Sequence, residues 1–373
     1  MRFQINYNID MFFSVKIKGF RGISGLEIRD FKQFNLIVGR NGSCKTSILE
    51  SLYILINPTA PDLLLKTNLF RGLDAINENN LELLFHNFDY EASILLEANM
   101  SGNDNYRVLR IKPRYGIGAS IKSQIDSPNN ESWDERFFQS GTIPAINGVT
   151  LESTFTDNEG KKRQYKSELL LEKEGTVFRK PSPKAYVEKS IGIYLSPEIF
   201  ARVQTATQLN KVLISKRKDH ILKVLRQLDP VIEDISIGLD STVYCDLGFP
   251  KMVPINVLGS GMYKMLSVVL AIENTQGGIV LIDEIENGMS PTSLDAMWKA
   301  IIASAKEFEV QVFATSHSLE CIRSLGTIAG ERLEHLEDDI RVYRIEKQKE
   351  SFNAIGFNIN DIKVAIEKDW DLR

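Results

Sequence analysis

Residues 35–53 read NLIVGRNGSCKTSILESLY, and the fold turns on the eight residues Gly39-Arg40-Asn41-Gly42-Ser43-Cys44-Lys45-Thr46 inside it. An apolar run, Leu36 to Val38, leads into a glycine-bearing turn. A helical spacing of apolar residues follows at Ile48, Leu49, Leu52 and Leu55 or Ile56. Strand, small-residue loop and helix in that order make a cradle for phosphate. Backbone N–H groups converge on the anion, and the helix N-terminus points at it. The pattern G-x-x-x-x-G-K-[ST] asks for glycine just before the lysine. Cys44 stands there instead. Alone, the stretch is a nucleotide site, an impaired one, or a β–α turn that binds nothing.

The bulk numbers bound the choices. The chain has 373 residues with 43% hydrophobic and 25% charged residues, which are globular averages and allow one large domain or two ordinary ones. A net charge of -4 gives no global attraction to nucleic acid or to an anionic membrane. Cys44, Cys245 and Cys321 lie far apart, so neither a disulfide framework nor a zinc spacing follows, and a reducing cytoplasm fits. The histidines, His86, His220, His317 and His335, are too few for a histidine-rich metal site. No apolar run reaches the roughly 18–20 residues that span a bilayer. The start, MRFQINYNIDMFFSVKIKGF, alternates like a strand and lacks the apolar core of a signal peptide. Regular alternation begins at Phe12, which makes Met11 an alternative start.

Along the chain, FFSVKIKGF, GLEIRDF and FNLIVG predict a β-meander over residues 12–38. Asn57-Pro58 stops the helix after the loop, and residues 61–90 read as helix and then irregular chain, with Phe70-Arg71-Gly72 as a break. From 91 to 185 short strand-like runs alternate with turns, which predicts an antiparallel β insertion. Residues 196–228 read as helical, STVYCDLGF as a strand, and MYKMLSVVLAIENT as a helix. GGIVLIDEIE and VQVFATSH read as buried strands flanking the amphipathic helix PTSLDAMWKAIIASAKEF, and RVYRIEKQ as a late strand.

Three further pieces carry chemistry. Ile279-Val280-Leu281-Ile282-Asp283-Glu284 puts two acids after four apolar residues. Acids are tolerated there only at a strand's carboxyl end, the edge where parallel α/β sheets bind ligands. Asp283 is placed to hold Mg²⁺ and Glu284 to orient or deprotonate water; Glu286 reads as solvated. A strand end whose acids cap the next helix gives the same pattern. Phe313-Ala314-Thr315-Ser316-His317 ends another buried strand in polar residues. His317 is placed to meet a γ-phosphate or the attacking water, although Ser316 or Ser318 capping the next helix explains the cluster equally well. Leu258-Gly259-Ser260-Gly261-Met262 opens an apolar helix, as an anion-binding end or as a plain N-cap. The four pieces gain weight from each other, because all occur in one chain in the expected strand or loop context.

Together they resemble the ABC-type ATPase heads of the SMC, RecF and OLD kind, and specifically the stand-alone bacterial AAA-type ATPases related to OLD proteins. The resemblance rests on KIKGFRGI (16–23), NLIVGRNGSCKTSILESLY (35–53), YLSPE (194–198), LGSGMYKML (258–266), IVLIDEIENG (279–288) and FATSHSLECI (313–322). It implies an α/β P-loop NTPase of the ABC/SMC-head type: a mixed central sheet, an antiparallel β subdomain and a helical subdomain. Residues 1–373 then form a single head, with the meander and P-loop at 1–60, the β insertion at 91–185 and a helical segment at 196–235. Signature, acids and switch histidine occupy 236–373. The resemblance further implies MgATP hydrolysis by a head-to-head dimer in which each head completes the other's site. Gly39, Arg40, Asn41, Gly42, Ser43, Cys44, Lys45, Thr46, Ser47 and Arg21 would bind nucleotide, with Phe20 and Gly22 nearby. Thr46 and Asp283 would hold Mg²⁺. Glu284 would be the base, His317 the switch histidine and Lys45 a catalytic cation. Gly259, Ser260 and Gly261 would reach the partner head's nucleotide.

The implied partner is a separate effector, a nuclease or toxin, in DNA maintenance or anti-phage defence. A non-hydrolysing, nucleotide-gated scaffold is the alternative, and a transporter subunit fits poorly without a membrane segment. Residues 161–189 and 211–226 are rich in Lys and Arg; they either track DNA phosphates or form solvated faces. Three features depart from the family pattern. LGSGM replaces LSGGQ, no Q-loop glutamine is singled out among Gln139, Gln204 and Gln208, and Cys44 replaces glycine. A non-glycine residue in left-handed backbone costs on the order of 1–2 kcal/mol. Micromolar nucleotide binding is worth roughly 8 kcal/mol, so such strain weakens a site without abolishing it. A thiol beside Lys45 and a helix N-terminus is also a candidate for a lowered pKa and redox switching.

Overall fold

In the computed structural model, which describes residues 11–73, 78–89, 91–101, 105–115, 146–171, 177–180, 186, 188, 190, 191–197, 202–332, 338–348 and 351–373, the chain opens with a hairpin. Its strands are β1 (Phe12–Phe20) and β2 (Ile23–Arg29). β3 (Phe34–Val38), α1 (Lys45–Ile56), α2 (Asp62–Leu69) and the short α3 (Glu78–Glu82) follow. Next come β4 (Ile94–Met100), β5 (Tyr106–Tyr115), β6 (Ile146–Thr156), β7 (Lys162–Leu171) and β8 (Val177–Lys180). β9 (Gly192–Leu195) leads to α4 (Arg202–Ile214) and α5 (Lys218–Leu225), and then to β10 (Asp234–Ile237), β11 (Val243–Asp246) and β12 (Val253–Pro254). The last third holds α6 (Ser260–Glu273), β13 (Ile279–Ile282), α7 (Pro291–Glu307), β14 (Gln311–Ser316) and α8 (Leu319–Arg332). β15 (Ile340–Gln348), β16 (Ser351–Phe357) and α9 (Ile359–Glu367) end the order.

These strands form three sheets. A six-stranded sheet runs β16-β15-β3-β14-β13-β9, parallel from β15 to β9 with β16 antiparallel at its edge. A seven-stranded antiparallel sheet runs β2-β1-β4-β5-β6-β7-β8, and β10-β11-β12 make a small third one. The meander expected over 12–38 does not form, because β3 leaves the hairpin and pairs in parallel with β14 and β15. Burial explains the split. β1 and β2 alternate in exposure, as one-sided antiparallel strands do, whereas all five residues of β3 are buried, as in a strand covered on both faces. The strands expected between 91 and 185 do form, at β4 to β8. Their sheet is built on the N-terminal hairpin, since Val15 pairs with Ala98 and Ile17 with Leu96. The helical run expected over 196–228 is two helices, broken where Lys216 takes a positive φ of 56°.

α1 lies between the two large sheets, against β1 and β4 on one side and β9, β13 and β14 on the other. Every residue from Ser47 to Ile56 is buried, which suits a helix apolar nearly all round. The other face of the six-stranded sheet is covered by α6, α7 and α8, whose Met265, Leu266, Met297, Trp298, Ile322 and Leu325 pack on Val280, Ile282, Val312 and Ala314. The Gln311 side chain locks the sheets together, accepting from the Phe12 N–H and donating to the Phe12 carbonyl, both at 2.8 Å. Within the six-stranded sheet β3, β14 and β13 are adjacent and parallel. Their carboxyl ends therefore bring the P-loop, His317 and the Asp283-Glu284 pair to one edge.

Candidate nucleotide site

The glycine loop wraps between β3 and α1. A Cβ on Gly39 would lie 2.6 Å from Ser43 Oγ and 2.9 Å from the Ile345 carbonyl, so only glycine fits. Cys44, at the N-cap of α1, has φ 60° and ψ 25°, the left-handed backbone that the pattern's glycine serves. Its thiol has room because residue 22 is glycine: a Cβ there would lie 2.7 Å from Cys44 Sγ. Burial pushes the Cys44 thiol above its ordinary value of 9.0, outweighing the pull of Lys347, Arg71 and Lys45. The lowered pKa expected for this thiol is thus not what its burial favours.

Lys45 Nζ donates to the carbonyls of Gly39 at 2.8 Å and Arg40 at 3.2 Å, and burial lowers its pKa. Asp283, at the end of β13, is pinned from three sides. Its Oδ1 accepts from Thr46 Oγ1 at 3.3 Å and from Thr315 Oγ1 in a short bond, and its Oδ2 accepts from the Tyr194 hydroxyl at 3.3 Å. Tyr194 is itself stacked on Phe70, ring centroids 4.4 Å apart. Glu284 follows with a positive φ of 49°, a costly conformation for a non-glycine residue. Two contacts hold it there: its N–H donates to Thr315 Oγ1 at 2.8 Å, and its carbonyl accepts from Lys264 Nζ at 2.6 Å.

Arg21 is turned to Glu50, a fully buried residue of α1, with Nε 2.7 Å from Oε2. It also donates to Asn68 Oδ1 at 2.9 Å. Arg71 grips the other side of the same carboxylate at 2.7 Å and reaches Ser47 Oγ at 3.1 Å. His317 lies 3.0 Å through Nδ1 from Glu286 Oε1, which also accepts the His317 backbone N–H at 2.6 Å. The Glu286 side chain is only 9% exposed, so the solvated role expected for it is wrong: at the β14 end the His317 backbone N–H donates to it and the His317 ring lies against it.

These groups surround a cleft of about 760 Å³, in the usual range for small-molecule sites. Arg21, Gly22, Asn41 through Ser47, Asp283 and Glu284 line it, together with Arg71 and Thr315. Gly39 sits beneath the loop, Arg40 is exposed, and His317 stands beside Glu286 outside the lining. Gly259, Ser260 and Gly261 are also elsewhere. They open α6, with Ser260 Oγ donating to the Gly288 carbonyl at 2.9 Å. Of the Q-loop candidates, Gln204 and Gln208 lie on α4 away from the cleft, and Gln139 falls outside the described residues. In the second basic stretch Arg217 meets Glu273, Lys218 meets Asp234, and Arg226 caps the carbonyls of Ile232 and Glu233, which favours a structural use of that charge.

Sequence reading missed Thr315, Tyr194, Arg71, Glu50 and Lys264. Tyr194 lies within YLSPE and Lys264 within LGSGMYKML, so both were in motifs that carried no role for them. Arg71 was visible only as part of a helix break.

The oxygens of Thr46 and Asp283 fit a hard cation. Mg²⁺ is held by one or two carboxylates, phosphates and water rather than by a protein cage. Among the described residues no group of three or more His, Cys, Asp or Glu gathers as a metal cage.

A family model described as "AAA domain, putative AbiEii toxin, Type IV TA system" matches residues 34–323. A protein of Helicobacter pylori named ATP/GTP phosphatase is 24% identical over 347 residues, 86% of this chain and 88% of that one. The DNA replication and repair protein RecF of Coxiella burnetii is 48% identical over 42 residues, 11% of this chain and 12% of RecF. Among solved structures, an SMC head bound to the C-winged helix domain of ScpA aligns with a TM-score of 0.49 at 10% identity, covering 95% of this chain and 99% of that one.

Proposed function

The chain belongs to this AAA-domain family, and from that premise we propose that it hydrolyses MgATP at the cleft between β3, β13 and β14. The observation that carries the proposal is the convergence of the Thr46 hydroxyl and Asp283 carboxylate beside Lys45 and Glu284. In this reading the loop N–H groups from Asn41 to Thr46 bind the β- and γ-phosphates, and Lys45 swings from its loop carbonyls to share their charge. Thr46 and Asp283 would hold the cation, which when bound would offset phosphate charge. Glu284, its backbone fixed by Thr315 and Lys264, takes the proton of the attacking water. His317, set by Glu286, is the switch that senses the γ-phosphate.

The head acts as a dimer, with Gly259, Ser260 and Gly261 of one copy completing the cleft of the other. Their absence from the lining of their own P-loop cleft supports this. The cycle controls a separate effector, a nuclease or toxin, in DNA maintenance or anti-phage defence. The toxin–antitoxin wording of the family description and the RecF match support that range. No helix among the described residues is long and apolar enough to cross a membrane.

Phosphate release from the purified chain tests the reading. Glu284→Gln should lower kcat about 10²–10⁴-fold, the usual worth of a general base, while the Kd for MgATP changes little. Unchanged turnover in that variant would remove Glu284 as the base. Calorimetry that finds no MgATP binding by the wild type, alongside binding by Cys44→Gly, would sink the working site. One observation favours a second reading: the His317 ring faces Glu286 rather than lining the cleft. A head that binds ATP without turnover would be a nucleotide-gated scaffold for a toxin or nuclease. Single-turnover phosphate release separates the two, since the scaffold releases none.

A further inference from the structure

The cleft continues past the P-loop. Besides the loop residues and Arg71, its wall is made by Leu73, Leu83, Phe85 and Phe88, with Asn87 the one polar residue among them. Phe88 lines the cleft and is 56% exposed, so its ring is not used up in packing. Its backbone is costly too, with Asn87 and Phe88 at φ 51° and 56° in succession. Strain of that kind persists only where the surroundings enforce it, and it gathers at ligand clamps.

The surroundings do enforce it. Phe85 bridges to Phe20, the Arg21 N–H donates to the Leu84 carbonyl at 2.8 Å, and His86 Nδ1 lies 2.9 Å from the Arg21 carbonyl. The Phe88 N–H closes the turn on the Phe85 carbonyl at 3.3 Å. The turn that puts Gly22 under Cys44 therefore also positions Phe88. One rigid element carries both Gly22, which makes room for Cys44, and Phe88, which lines the same cleft.

We propose that Phe88 is the platform on which the nucleotide's base stacks; this rests on reading the cleft as an ATP site. A cleft lined both by a phosphate-binding loop and by apolar and aromatic side chains has groups to suit both halves of a nucleoside triphosphate. Aromatic stacking is a large and base-tolerant source of affinity, because every base has a π-face.

Calorimetry on the full chain with Mg²⁺ and either ATP or inorganic tripolyphosphate tests the platform. Phe88→Ala should weaken ATP about tenfold, within the range for losing one aromatic–base stack, and leave tripolyphosphate within about twofold. Phe88→Trp should keep ATP affinity, and its added indole emission should fall with ATP but not with tripolyphosphate. ATP affinity unchanged in Phe88→Ala overturns the proposal. So does an equal loss for both ligands, which would make the ring a structural wall. In Phe88→Trp, emission that ignores ATP while ATP binds overturns it independently of how the alanine variant folds. A wild type that binds neither ligand fails earlier, at the ATP reading, and takes the platform with it.

Discussion

At residue 44 the backbone and the side chain make separate demands. The backbone needs the left-handed region, where a non-glycine residue costs on the order of 1–2 kcal/mol. The side chain needs a space, and Gly22 leaves it one. The pair is therefore coupled across the P-loop and the turn after β1, although the residues are far apart in sequence. Gly22 has a backbone that alanine can adopt, so a substitution there tests contact alone. Gly22→Ala should destabilise the protein by about 1–3 kcal/mol, the usual cost of overpacking. In a Cys44→Gly background the same change should cost less than about 0.5 kcal/mol, because the clashing sulfur is gone. Denaturant melts of the four proteins in this cycle give the coupling directly. Additive losses would mean that Gly22 is needed for some reason other than Cys44.

At the scale of elements, α6 carries two things at once. Its N-terminus presents Ser260, and one turn later Lys264 reaches from the same helix to the carbonyls of Glu284 at 2.6 Å and Asn287 at 3.0 Å. Lys264 is 3% exposed, and burial pulls its pKa from 10.5 down to about 8. Below about pH 8 the ammonium makes charge-assisted bonds that hold the Glu284 loop. As pH rises through that value the proton leaves, those bonds weaken, and turnover should fall. Lys264→Arg keeps its charge at every accessible pH, so its pH–rate profile should lack this decline. A wild-type profile flat to about pH 9.5 would rule out the coupling. This contact also shows what sequence could reveal. The apolar run ending in Asp283 and Glu284 and the helical spacing after Lys45 are local patterns, and they were legible. Lys264 on Glu284, Thr315 on Asp283, and Arg71 on Glu50 join elements remote in the chain, and no local pattern encodes them. The departure of β3 from the hairpin was half-legible: the apolar run Leu36-Ile37-Val38 fits a strand covered on both faces, but contiguity with β2 suggested a meander.

At the scale of the molecule, the proposed catalytic groups and the glycine-serine loop occupy different places on one chain. Lys45, Thr46, Asp283 and Glu284 share the cleft, whereas Gly259 and Ser260 are exposed at the start of α6. If the loop acts at all on nucleotide, a second copy must bring it. An isologous dimer then holds two composite sites, each with the P-loop of one chain and the loop of the other. Lys45→Ala disables the first half of a site and Ser260→Arg the second, so each homodimer should be inactive. Ser260→Arg should still bind MgATP like the wild type, because Ser260 does not line the cleft. In a mixed dimer one site pairs both lesions and the other has neither. Mixing equal amounts before ATP is added should restore about one quarter of wild-type turnover, since half the dimers are mixed and each has one of two sites intact. Recovery of that size would place Ser260 in the partner's site. Full turnover by Ser260→Arg on its own would instead confine catalysis to the cleft of a single chain.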